Sequence, residues 1–98
     1  MNDFKNINLH SITVSTSTNS DGDKLYNYLS KGAIHNKIIL NIDGHYILST
    51  SFLNSSFGKF IDIYGLDLFK TNIKIKSNAN IYNRLKHYVS LYSDLYVS

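Results

Sequence analysis

The side chains of this 98-residue chain that could do chemistry gather at Ser49, Thr50 and Ser51. Three consecutive hydroxyls stand where an apolar, helix-periodic run begins, so they offer nucleophilic oxygens and also the acceptor that a helix start needs for its free amides. Asp43 and His45 lie just upstream and would complete a Ser, His and Asp set. No G-x-S-x-G elbow surrounds the serines, however, and Asp43 before Gly44 is explained as a turn residue. His10, His35, His45 and His87 fall on four different elements without the short helical spacing that pre-builds a zinc site, so no metal is expected. Asp21-Gly22-Asp23 opens like a calcium loop but lacks the later ligands and the closing Glu, and carboxylates at a helix start account for it. No glycine-rich phosphate loop occurs. The residues therefore imply no catalytic set and no cofactor, and any ATP chemistry belongs to a partner.

Residues 37–64 must position the hydroxyls. Ile38, Ile39, Leu40 and Ile42 form a nearly continuous, largely β-branched run, which predicts a strand covered on both faces in the middle of a sheet. Asp43-Gly44 ends it. Leu53, Phe57, Phe60, Ile61 and Tyr64 then recur at i, i+4, i+7, i+8 and i+11, one face of a helix from Ser51 to Tyr64 that Gly65 closes.

Upstream, residues 4–15 alternate on each side of His10-Ser11 but change phase between them, which predicts one bulged strand or two short ones. Residues 15–23 read as a loop. Ser20 or Asp21 then caps a helix of at most about three turns, with Leu25, Tyr28 and Leu29 inward and Gly32 at its end. Downstream, residues 66–71 read as a connector. Residues 72–77 alternate strictly, as an edge strand with a wet lysine face does. Asn78 or Asn80 caps a last helix carrying Ile81, Leu85, Tyr88, Val89, Tyr92 and Tyr96 at helical spacing. Helices alternate with strands, which predicts parallel neighbours in a two- or three-layer α/β sheet.

Composition narrows the function classes. The length suits a single domain over residues 1–98. There is no Cys, hence no disulfide framework and no thiolate metal site. No leader-like or membrane-length apolar run is present, so a cytoplasmic protein without membrane contact is expected. Ten Lys and Arg against seven acidic residues give a net charge of +3 and a pI near 9.1, which raises nucleic acid as a partner. The cations are scattered and Arg84 is the one arginine, leaving little for base reading.

The stretch ILNIDGHYILSTSFLNSSFGKF resembles the STAS-like family of small bacterial proteins, in which an L-D-F-x-G-V strand precedes I-S-S-S-F, a polar stretch and F-G-K-L. Here Leu40, Asn41, Ile42 and Gly44 stand at the strand. Ser49, Thr50, Ser51 and Phe52 stand at the hydroxyl run, and Phe57, Gly58, Lys59 and Phe60 at the last motif. SDGDKLYNYLSKG resembles the family's approach to its first helix, and NIKIKSNANIYNRL its last strand and closing helix. The resemblance implies a small mixed or mostly parallel sheet with helices packed mainly on one face. STAS domains proper form the fold of anti-anti-sigma factors, whose Asp-Ser-Ser-Gly-Leu motif is phosphorylated on its second Ser by a GHKL-type kinase. Laid on that motif, Ser49 replaces the Asp, Thr50 and Ser51 take the two serines, Phe52 replaces the Gly and Leu53 matches the Leu.

The resemblance thus implies a non-catalytic regulatory module that binds a protein, with a GHKL-type ATPase or kinase as partner and Ser51 or Thr50 as phosphorylation candidates. The expected docking residues are Ser49, Thr50, Ser51, Asn54, Ser55, Lys59 and Asp62, the last four turned away from the apolar stripe. Tyr26 and Tyr82 fall off the apolar faces and form a second patch for a partner or a homodimer. The rival reading is a small basic phage-type protein that binds nucleic acid or inhibits a host nucleic-acid machine.

Overall fold

A computed structural model describes residues 4–97, with side chains to residue 92. Three short strands, β1 (Lys5–Asn8), β2 (Ile38–Asn41) and β3 (Ile73–Lys76), pair in the order β1-β2-β3. Both pairs are parallel, Ile7 standing beside Leu40 and Leu40 beside Ile75. β2 is the middle strand and β3 an edge strand, as the pattern predicts. The crossovers are α1 (Asn19–Gly32) and a longer connection built from α2 (Thr50–Leu53), a π-helical turn (Asn54–Gly58), α3 (Lys59–Tyr64) and α4 (Leu66–Asn72). α5 (Ala79–Val97) follows β3.

Side chains alternate between the two faces of a strand, and paired parallel residues share a face. Ile7, Ile38, Leu40, Ile73 and Ile75 therefore lie on one side, and Asn6, Asn8, Ile39, Asn41, Lys74 and Lys76 on the other. Along β2 burial alternates with this period: Ile38 and Leu40 are buried, while Ile39 and Asn41 are half-buried. The expectation that β2 is covered on both faces is thus corrected. The order β1-β2-β3 makes both crossovers step in the same direction, and right-handed connections then lay their helices on one face.

Four further expectations change. The phase shift in residues 4–15 is neither a bulge nor a second strand. After Asn8 a 3-10 turn (Leu9–Ser11) forms, with Ile12 N donating to Leu9 O at 2.9 Å, and it drops Leu9 fully into the core. α1 starts earlier than expected because Thr18, rather than Ser20 or Asp21, caps it. Asp21 N donates to Thr18 Oγ1 at 3.1 Å and Thr18 N to Asp21 Oδ2 at 3.2 Å, a reciprocal capping box. The predicted connector is the helix α4. Gly65 turns the chain at φ 98° and then accepts from Phe69 N at 3.3 Å, so the helix restarts at once. The second crossover helix is also not regular throughout.

That irregularity has local causes. Ser55 Oγ donates to Ser51 O at 2.8 Å and Ser56 Oγ to Phe52 O at 2.7 Å, both hydroxyls bonding back one turn and competing with the helical ladder. The π-helical turn widens the inward face, so that Phe52 and Ser56 are buried along with Leu53, Phe57, Phe60 and Ile61. Apart from Ser56, these residues, the inward side of the sheet, and Leu25, Leu29, Ile81 and Leu85 make one apolar cluster. Each fully buried Leu or Phe contributes about 1.5–3 kcal/mol. Buried Asn72 donates to Ala33 O at 2.8 Å, tying the end of α4 to the end of α1. Asn78 caps α5, accepting from Ile81 N at 2.9 Å. Ile81, Leu85 and Tyr88 are buried as the period predicts, while the side chain of Tyr96 lies outside the described residues.

Candidate functional site

From the end of β2 the chain is held by several anchors before it reaches the hydroxyls. Ile42 N donates to Lys76 O at 2.9 Å, and Tyr46 and Leu48 are buried. Ile47 projects into solvent, yet its carbonyl accepts from Thr16 Oγ1 at 2.7 Å. Arg84 Nε reaches across from α5 to Leu48 O at 2.8 Å, so the one arginine serves as a strut behind this corner. Ser49 N then donates to Thr16 O at 3.1 Å.

Ser49 is the helix cap. Its hydroxyl accepts from Phe52 N at 3.0 Å and donates to Ser17 O at 2.9 Å, while its carbonyl accepts from Leu53 N at 3.0 Å. With both its hydroxyl and its main chain engaged, Ser49 is a half-buried anchor. Thr50 and Ser51 come next and are exposed, and among the described residues their hydroxyls make no hydrogen bond. The alternation is enforced from below, because Phe52 and Leu53 are fully buried and leave the preceding residues the outer side of the turn.

The remaining predicted docking residues divide. Asn54 is exposed at helical spacing from Thr50 and Ser51, and its Oδ1 accepts from Tyr88 Oη at 2.6 Å. Ser55 does not point away. It faces α1, where a Cβ on Gly22 would collide with its hydroxyl and lie 2.6 Å from Phe52 O. Lys59 and Asp62 are exposed further along the same helix, with Lys59 Nζ 4.5 Å from the centre of the Tyr26 ring. Tyr26 is correspondingly half-buried under that lysine. Burial, helped by a hydrogen bond with Tyr64, pushes its phenol above the ordinary value. Tyr82, by contrast, is 48% exposed.

His45 stacks on Tyr46 with ring centres 4.5 Å apart, and no hydrogen bond joins it to Ser49 among the described residues. Asp43 Oδ2 lies 3.6 Å from His10 Nδ1, both side chains largely exposed. Among the described residues no group of His and Asp is arranged to hold a metal ion, and no helix is long and apolar enough to cross a membrane.

The sequence reading missed the second half of the corner. Residues 15–18, Ser-Thr-Ser-Thr, run alongside Ser49 and bring the capped start of α1 next to the capped start of α2. Both helix starts stand beyond the carboxyl ends of β1 and β2, where open α/β sheets bind their ligands. Burial raises the Asp21 carboxyl, but hydrogen bonds from Ser15, Ser17 and Thr18 outweigh it and hold the group below the ordinary carboxylate range. The signal is Thr18 three residues before Asp21, the spacing of a reciprocal cap.

The family described as a STAS-like domain of unknown function (DUF4325) matches residues 21–83, well over half of the chain. The chain belongs to this family. The STAS-like match takes in β2, the Ser49 half of the corner, the π-interrupted helix and β3, and all seven predicted docking residues fall within it. β1 and the hydroxyl run 15–18 lie before it. Neither a curated protein nor a solved structure matches the chain.

Proposed function

We propose that this STAS-like domain works as one unit over residues 1–98, a non-catalytic regulatory module that docks a protein partner through the outer side of the Ser49-capped helix. The observation that carries this reading is the pair of exposed, unbonded hydroxyls on Thr50 and Ser51, set on a corner that Ser49 and Arg84 hold in place. A preorganised patch loses little conformational entropy on docking. Asn54, Lys59 and Asp62 extend it along the helix, whereas Ser49 and Ser55 support it from within.

Ser51 is the phosphoacceptor in this reading, with Thr50 beside it, and the partner is the GHKL-type ATPase or kinase that the family resemblance implies. A phosphate there would meet first-turn amides and the positive end of the helix dipole, so the fold tolerates it. It would add roughly −1.5 to −2 charges to the docking patch, which would switch binding off.

Incubation with ATP and a GHKL-type kinase from the same genome tests the switch by mass spectrometry. One phosphate between residues 49 and 56 that is lost in Ser51→Ala is expected, and its absence would sink the switch. Docking is tested separately with Ser51→Arg, since Asn54→Arg would also break the bond to Tyr88. Capture of the ATPase should be lost with an unchanged melting temperature. Undiminished capture would remove this surface from consideration.

A further inference from the structure

We infer a second interaction surface, independent of the hydroxyl corner: the outer edge of β3, with the groove between it and α5, accepts an extended segment of another protein whose side chains alternate apolar and acidic. β3 ends the sheet, so its outer side has no strand neighbour among the described residues. Ile42 N donates to Lys76 O at 2.9 Å, which turns the main-chain polar groups of Lys74 and Lys76 toward β2. Those of Ile75, and the carbonyl of Ile73, point outward by the alternation of a strand. They form a template for a fourth strand.

Beside that edge lies a groove of about 550 Å³. Phe57, Phe69, Leu85 and Val89 supply apolar walls, and Lys70, Lys74 and Lys86 bring positive charge to it. Among the described residues no acidic side chain lines it. On the open face of the sheet Lys74 is paired with Ile39 and Lys76 with Asn41, so β2 offers neither lysine a carboxylate. A strand added to β3 would send every second side chain into the groove and the others alongside Lys74 and Lys76. Opposite charges directly across a strand pair favour the pairing and like charges oppose it.

Those same lysines argue against a second copy of this chain as the occupant. Another β3 would bring lysine against lysine, and β1, reading Lys-Asn-Ile-Asn, carries no carboxylate. Edge lysines ordinarily keep strands from joining; here they select an acidic strand, which the groove then rewards with apolar burial. Four residues at about 3.3 Å each give a template roughly 13 Å long.

The probe is a fluorescent peptide of about eight residues alternating valine and glutamate, titrated into the full chain by anisotropy and followed in the amide spectrum. Saturable binding is expected, with shifts concentrated at Ile73–Lys76 and Val89. The double variant Lys74→Glu/Lys76→Glu should bind on the order of tenfold more weakly and gain affinity for a valine-lysine peptide, its melting temperature unchanged. N-methylation of the amides facing β3 should abolish binding. The proposal is overturned by no binding at millimolar peptide in low salt, by undiminished binding of the N-methylated peptide, or by shifts elsewhere. It is also overturned if the chain dimerises through this edge, or if a single-stranded oligonucleotide displaces the peptide with a steep salt dependence.

Discussion

Ser49 carries more of the corner than either hydroxyl beside it, because one oxygen both caps the second crossover helix and clasps the loop that leads into the first. Ser49→Ala should cost about 1–2 kcal/mol in urea denaturation, the combined loss of a cap and a part-buried hydrogen bond. Ser51→Ala, removing an exposed and unbonded hydroxyl, should stay within about 0.5 kcal/mol. Equal effects would mean that the cap is not what fixes this turn. The contrast separates support from contact, which resemblance to a phosphorylated motif treats alike.

Elements here meet where side chains are smallest. α1 crosses the π-helical turn at Gly22, and a methyl group there would run into Ser55 and lie 2.6 Å from the main-chain oxygen of Phe52. Gly22→Ala should therefore destabilise the chain by about 1–3 kcal/mol, since backbone cannot yield as a flexible side chain does. Gly65 has the opposite character. Among the described residues nothing lies within 4 Å of a Cβ built on it, but its φ of 98° and ψ of 152° belong to glycine alone. Gly65→Ala should cost about 1–3 kcal/mol from backbone strain, seen as a lower melting temperature with an unchanged near-ultraviolet spectrum. Loss of the α3–α4 packing with it would show that the glycine is also needed to place α4.

For the whole molecule, the concentration of tyrosines predicts how it unfolds in alkali. Burial pushes the phenols of Tyr28, Tyr46 and Tyr88 up, as it does that of Tyr26, and hydrogen bonding with Tyr92 raises Tyr88 further. A phenol whose folded-state value is raised contributes stability fully below its unfolded value near 10.0, and that contribution is lost as pH rises toward the folded-state value. Melting temperatures should hold between pH 8 and 9.5 and fall steeply above pH 10. Tyr88→Phe should make that fall shallower while removing the bond to Asn54. A variant that falls as steeply as the parent would place the alkaline sensitivity elsewhere.

Wherever neighbours in the chain are also neighbours in space, the amino-acid order determined the outcome. The apolar run of β2, the alternation of β3, the period of α5 and the stop at Gly65 depend on local backbone preference and on the side each residue must bury. The choice of family was readable for the same reason, being carried by short consecutive motifs. Tertiary structure alone decided what depends on distant partners. It set Thr16 on Ile47, 31 residues away, gave Asn72 its acceptor at Ala33, 39 residues back, and left one face of the sheet open. It also turned Ser55 inward against Gly22 while leaving Ser51 outward. A hydroxyl's type says that it can cap, bond or be modified. Which of these it does is fixed only by the atoms that packing brings within reach.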